Sequence, residues 1–144
     1  MTDDSEARVR ALDHTADIGL EIEGPSLESV IAGAAVAMTR LMLGDVRPPA
    51  HELRTFEVAG AEPSLLLRNV LRELLFLHAA EGFALARCHV VLLGQRPDLR
   101  ARCRARGGTP SGPPDTEIKG VTLHGLVAEL RDAGVWYARV IFDV

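Results

Sequence analysis

Hydrophobic and polar positions alternate from Val9 to Glu23, with Ile18, Leu20 and Ile22 on one face and Gly19, Glu21 and Glu23 on the other. That period of two predicts a half-buried β-strand. Gly24-Pro25 breaks the pattern and Ser26 stands at an N-cap position. Leu27, Val30, Ile31, Ala34, Ala35, Met38, Leu41 and Met42 then follow at helical spacing, up to Gly44 at a C′ position. Pro48-Pro49 marks a loop, and Leu53–Val58 predicts a short strand. A second helix starts near Pro63-Ser64, turns Leu66, Leu67, Val70, Leu71, Leu74, Leu75 and His78 inward, and closes at Gly82.

Beyond Gly82 the period changes. Phe83–Leu93, Leu99–Arg106, Thr116–Leu130 and Val135–Val144 all read as strands, with turn chemistry at Gly94, Gly107-Gly108 and Asp132-Ala133-Gly134. Helices stop alternating with strands at this point, which disfavours a doubly wound sheet. The expected class is α+β, two helices packed on a largely antiparallel sheet. One domain spans 1–144, with 1–7 as a flexible tail and 107–115, rich in Gly and Pro, as a mobile loop.

Composition narrows the function classes. The chain has 144 residues, 47% hydrophobic, enough for a core without disulfide or metal support. A net charge of -4 argues against the whole surface serving as a general nucleic-acid binder. Cys88 and Cys103 lack C-x-x-C spacing and suit a reduced compartment, and Met1–Glu6 is acidic rather than a leader. The expectation is a cytoplasmic protein with no membrane association. Zinc fails because Cys88 and His89, adjacent on a strand, point to opposite faces.

Candidate chemistry lies near the two ends. Asp13-His14-Thr15-Ala16-Asp17-Ile18-Gly19 is a compact polar cluster opening a strand. Its plain reading is turn chemistry, Asp and Thr bonding their own backbone. Its functional reading is a rigidly held Asp17 carboxylate offered to a hard cation. One Asp cannot fill such a coordination shell, so a partner is required. Val140-Ile141-Phe142-Asp143-Val144 supplies it: the run should lie in a sheet, Trp136, Ala138, Val140, Phe142 and Val144 forming an apolar face and Asp143 ending the mixed one. The two ends are expected to meet and build one oxygen-rich site. A metal-dependent hydrolase would also need a general base, and His14 beside Asp17 is the only candidate pair.

Two basic features stand apart. Arg100, Arg102, Arg104 and Arg106 recur at period two with Ala101, Cys103 and Ala105 between them, either a solvated outer face or a docking surface for phosphates or an acidic partner. Lys119, within Glu117-Ile118-Lys119-Gly120-Val121-Thr122-Leu123-His124, is either a snorkelling edge residue or a cation offered to phosphate or a partner.

These motifs carry a resemblance. Asp-His-Thr-Ala-Asp-Ile-Gly at 13–19 followed by Ser26-Leu27-Glu28, the 117–126 segment, and the ending Val140-Ile141-Phe142-Asp143-Val144 together resemble the archease family, in order and over nearly the whole chain. Gly120 and Leu123 stand where Ala and Tyr are commoner, and the second helix lacks a usual Trp. The resemblance implies a non-enzymatic accessory protein that activates an RtcB-type RNA ligase in tRNA splicing and RNA repair. It would promote the ligase's guanylylation and repeated turnover, with GTP used only by the ligase and RNA contacted indirectly. It also implies a divalent metal, calcium or a similar hard cation, held by Asp17, Asp143 and Val144. Asp13 and His14 would stand beside it, and Lys119, Arg100, Arg102, Arg104 and Arg106 are candidate partner or RNA contacts. The other function associated with the family is a chaperone-like modulator of nucleic-acid-modifying enzymes.

Overall fold

The computed structural model describes residues 6–13 and 17–144. Most of the expected tail, and His14, lie outside the described residues. Two strands, β1 (Arg8–Asp13) and β2 (Asp17–Gly24), pair antiparallel where the alternation reads as one run. The break is invisible to periodicity because both arms share the period of two, although β2 buries Leu20 and Ile22 while Val9 and Ala11 of β1 stay exposed. Ala7, expected in the tail, packs half-buried against that core.

Helix α1 (Leu27–Leu43) begins in a reciprocal cap. The Ser29 N–H donates to Ser26 Oγ at 3.1 Å and the Ser26 N–H to Ser29 Oγ at 3.2 Å, so two of the orphan donors of the first turn are satisfied. Its small residues, Ala32, Gly33, Ala34 and Ala35, are all buried, which lets strands approach it on more than one side. Strand β3 (Glu52–Gly60) leads into α2 (Pro63–Glu81), which starts on a proline and ends at Gly82 with φ of 71°. That left-handed cap is a conformation glycine adopts without a Cβ penalty. Leu66, Leu67, Val70, Leu71 and Leu74 face inward as the spacing predicts, whereas Leu75 and His78 are half-buried and Leu77 takes a core position.

The remaining strands are β4 (Ala84–Leu93), β5 (Leu99–Gly108), β6 (Gly120–Val121), β7 (Val127–Leu130) and β8 (Trp136–Asp143). Among the described residues they form two antiparallel sheets with the first three. One has the order β1-β2-β8-β6 with β7 also on β8, and the other is β3-β5-β4. Helix α1 packs on β1, β2 and β8 of the first and on β4 of the second, and α2 likewise touches strands of both. The helices therefore join two sheets instead of covering one, and the fold is α+β. Burial of leucine- and valine-sized side chains, about 1.5–3 kcal/mol each, is what holds these layers together.

Two expected boundaries shift. The loop foreseen from Gly107 starts later, because Gly107 and Gly108 continue β5. A Cβ at Gly107 would collide with the Ala84 carbonyl oxygen, so glycine serves close approach of strands there rather than a turn. The strand foreseen over Thr116–Leu130 splits into β6 and β7 at His124-Gly125, where Gly125 takes φ of 56°. Ile118 and Val121 are both buried while Lys119 and Leu123 are exposed, so the period of two fails across this segment.

Candidate functional site

Strand β8 is an interior strand, and its register places its last residue. Asp143 lies opposite Asp17 on the β2 side and opposite Gly120 on the β6 side. The Lys119 N–H donates to the Asp143 carbonyl oxygen at 2.7 Å, so both flanking strands fix the Asp143 backbone. Arg68 of α2 donates its Nε to the Val121 carbonyl at 2.8 Å and holds β6 against the helix. No periodicity in the sequence points to Arg68, because its role depends on an oxygen distant in sequence.

Asp17 is half-buried, Asp143 exposed and the Val144 side half-buried. On this sheet face Asp17 is followed by Gly19, Glu21 and Glu23, and Asp143 by Ile141, Arg139 and Tyr137. The end of the face thus carries two carboxylates directly across from each other, and neither makes an ion pair among the described residues. Like charges directly opposite in an antiparallel pair are destabilising. The donors are oxygen only, the chemistry that hard divalent cations take. No group of three or more His, Cys, Asp or Glu capable of holding a metal occurs among the described residues, so a full shell would draw on an oxygen of Val144 and on main-chain oxygens. Asp13 is paired with Ile18 through its backbone, one register step from Asp17, and His14 lies outside the described residues.

Farther along the same face Glu21 is compensated. The Tyr137 hydroxyl donates to Glu21 at 2.7 Å, and Arg10 forms an ion pair with the same carboxylate. The tyrosine hydrogen bond first, and the arginine second, hold the Glu21 carboxyl below its ordinary range. Burial, then the bond to Glu21, pushes the Tyr137 phenol up. Arg131 stacks 3.6 Å from the Tyr137 ring centroid, which explains why Tyr137 is buried on a face expected to be mixed.

Lys119 is exposed, outside the short β6, and its contact with the site is through its backbone. The four arginines lie on β5, the central strand of the second sheet: Arg100, Arg102 and Arg104 are exposed and Arg106 half-buried, with Ala101, Cys103 and Ala105 buried between them. Glu57 of β3 pairs with Arg100 at 3.2 Å and with Arg102 at 3.3 Å. The register adds two residues not singled out from sequence, since Arg87 lies opposite Arg106 and His89 opposite Arg104. Arg87 also lines a cavity of about 510 Å³ beside the C-terminal end of α1, together with Arg40 and Arg47.

Comparisons with known proteins agree with the fold and identify the family. Residues 10–144 match the model of the Archease protein family (MTH1598/TM1083). The chain is 30% identical over 135 residues to protein archease of Pyrococcus abyssi, covering 92% of this chain and 95% of that one. To protein archease of Methanothermobacter thermautotrophicus it is 32% identical over 134 residues, covering 92% and 95%. The solution structure of Methanobacterium thermoautotrophicum protein 1598 superposes with a TM-score of 0.81 at 32% identity, over 94% of this chain and 98% of that one. A Thermotoga maritima crystal structure, described as an archease and possible chaperone, shares the fold at a TM-score of 0.60 and 24% identity, over 94% and 96%. With its fold, its paired end carboxylates and a family match over nearly its full length, the chain belongs to the archease family.

Proposed function

We propose that this protein is a cytoplasmic, metal-binding activator of an RtcB-type RNA ligase, promoting the ligase's guanylylation and its repeated turnover in tRNA splicing and RNA repair. The supporting observation is the Asp17–Asp143 pair, two carboxylates without an ion pair among the described residues, set face to face by the β2–β8 register. Asp17, Asp143 and an oxygen of Val144 would hold a calcium-like cation, whose charge would offset their repulsion, with Asp13 and His14 as further candidates. The cation supplies a fixed positive charge at the rim of the sheet. The residues' own task is to hold that rim in one shape: Lys119 through its N–H, Arg68 through β6, and the Glu21–Tyr137 bond through β8. GTP belongs to the ligase. The test is multiple-turnover RNA joining by purified ligase with GTP and metal. This protein should raise turnover and guanylylation, and equal rates with and without it would refute the reading.

A chaperone-like role has separate support. Phe76, Leu123 and Leu130 are 62%, 64% and 59% exposed, large apolar side chains available to an unfolded client. Suppression of ligase aggregation on heating separates the readings. A chaperone should lose suppression in Phe76→Ser and keep it in Asp17→Asn, whereas metal-dependent activation has the opposite sensitivity.

A further inference from the structure

The outer face of the β3-β5-β4 sheet has a charge arrangement that the metal site does not explain. Facing residues are Leu53, Thr55, Glu57 and Ala59 on β3, the four arginines on β5, and Arg87, His89, Val91 and Leu93 on β4. Glu57 compensates the half of the ladder at Arg100 and Arg102. The other half has no carboxylate: among the described residues Arg104, Arg106 and Arg87 form no ion pair, and Arg106 and Arg87 stand directly opposite as like charges. Arg87 then leads into the cavity of about 510 Å³ that Arg40 and Arg47 also line, neither of them in an ion pair among the described residues. The cavity's walls are apolar at Val36, Leu43, Val46 and Leu85, and one carboxylate, Asp45, lines it against the three arginines, so the lining keeps a net positive charge. Its volume falls within the roughly 300–1,000 Å³ typical of small-molecule sites.

We propose that Arg104, Arg106 and Arg87 on the sheet face and Arg40 and Arg47 at the cavity form one track for the phosphate backbone of a single-stranded polynucleotide, whose terminal nucleotide enters the cavity.

Three observations choose this occupant. Same-face residues on a strand repeat at about 6.8 Å, so Arg104 and Arg106 stand one repeat apart along β5 with Arg87 beside Arg106, an extended cationic path suited to a linear polyanion. Each planar guanidinium can take two phosphate oxygens at once. The face carries no Phe, Tyr or Trp, so it lacks the aromatic anchors that dominate protein–protein hot spots, and it also lacks stacking platforms that would read bases. Binding is therefore through the backbone, sequence-independent, and local to one face of an acidic protein. This goes beyond ligase activation and is tested without any ligase.

The experiment is fluorescence anisotropy of labelled single-stranded RNA, and of DNA of the same sequence, with and without a terminal phosphate, across a salt series. Wild type should bind both sugars, the phosphorylated ends more tightly. In the Arg104→Gln/Arg106→Gln variant affinity should fall at least roughly tenfold at low salt, and the log–log salt slope should shrink by about 1.4, about 0.7 for each lost contact. Arg40→Gln/Arg47→Gln should abolish the preference for a terminal phosphate. Glu57→Gln, which releases Arg100 and Arg102, should tighten binding, a gain that misfolding cannot produce. Absence of binding by wild type, affinity unchanged in the Arg104/Arg106 variant with native melting, or displacement by polyglutamate as readily as by RNA would each overturn the proposal.

Discussion

Asp17 and Asp143, separated by almost the whole chain, are direct cross-strand partners on adjacent strands of one sheet. Neither carboxylate has a cationic partner among the described residues, while Glu21, four positions along the same strand, is paired with both Arg10 and Tyr137. Compensation thus reaches Glu21 but not the Asp17–Asp143 pair. Two carboxylates left facing each other cost stability unless something positive joins them, and that consequence can be measured in both directions.

In metal-free buffer, Asp143→Asn should be neutral or stabilising by roughly 0.2–1 kcal/mol, since it removes a like-charge cross-strand pair. Added calcium should reverse the ranking. At a free concentration about 100 times its dissociation constant, an ion stabilises the state that binds it by about 2.7 kcal/mol. Wild type should melt several degrees higher with calcium, whereas Asp17→Asn and Asp143→Asn should not move. A calcium shift that survives in both variants, read by thermal melts, would place the ion elsewhere.

The Glu21–Tyr137 bond predicts a pH dependence with a definite sign. Glu21 is held below its ordinary value of about 4.3, so its contribution is fully present above that pH and is lost as pH falls through the lowered folded value. Tyr137→Phe should therefore destabilise the protein at neutral pH, with the difference from wild type shrinking as acid protonates Glu21. At the alkaline end the raised phenol acts the other way: its contribution is complete below about pH 10 and is lost as pH rises through the folded value. Urea melts of both proteins from acid to alkaline pH check this, and a constant difference at all pH values would contradict it.

The α1 cap offers a test of local stability away from the site. Ser26→Ala removes the acceptor of the Ser29 N–H and should cost about 1 kcal/mol, within the range of 0.5–2 for such caps. Calcium response should be unchanged in this variant. Chemical denaturation with and without the ion provides both readings.

Ser26, Gly44 and Gly82 mark the helices because capping chemistry is local, and the two leucine-rich stripes follow from a period that a helix imposes. The end carboxylates were legible for a similar reason, since an apolar strand carrying Asp143 is a local pattern. The division into β1 and β2 was not, because alternation continues in both strands. Nor was the second sheet: which strand lies beside which depends on contacts far apart in sequence. The same limit hid Arg87 and His89, which join the arginine row only through the β4–β5 register, with a shift between Leu85 and Arg87. Arg68 belongs with these, an exposed-type residue on a helix whose meaning is set by the Val121 carbonyl.

Lys119 separates side-chain from main-chain function. Its side chain is exposed, and the contact it makes with the site is the N–H donated to Asp143. Lys119→Ala keeps that donor, so calcium affinity and the melt should match wild type. Lys119→Pro deletes the donor and fixes the backbone angle at the residue leading into β6, which should cost at least the 0.5–1.5 kcal/mol of one hydrogen bond. The loss should appear in calcium affinity as well as stability, because Asp143 is then held from the β2 side alone. Isothermal titration with calcium, beside melts in chelator, distinguishes the outcomes. Weakened binding in Lys119→Ala would give the ammonium group a role in the site that its backbone contact does not predict. Full affinity in a folded Lys119→Pro would show that the β2–β8 ladder alone positions the carboxylate.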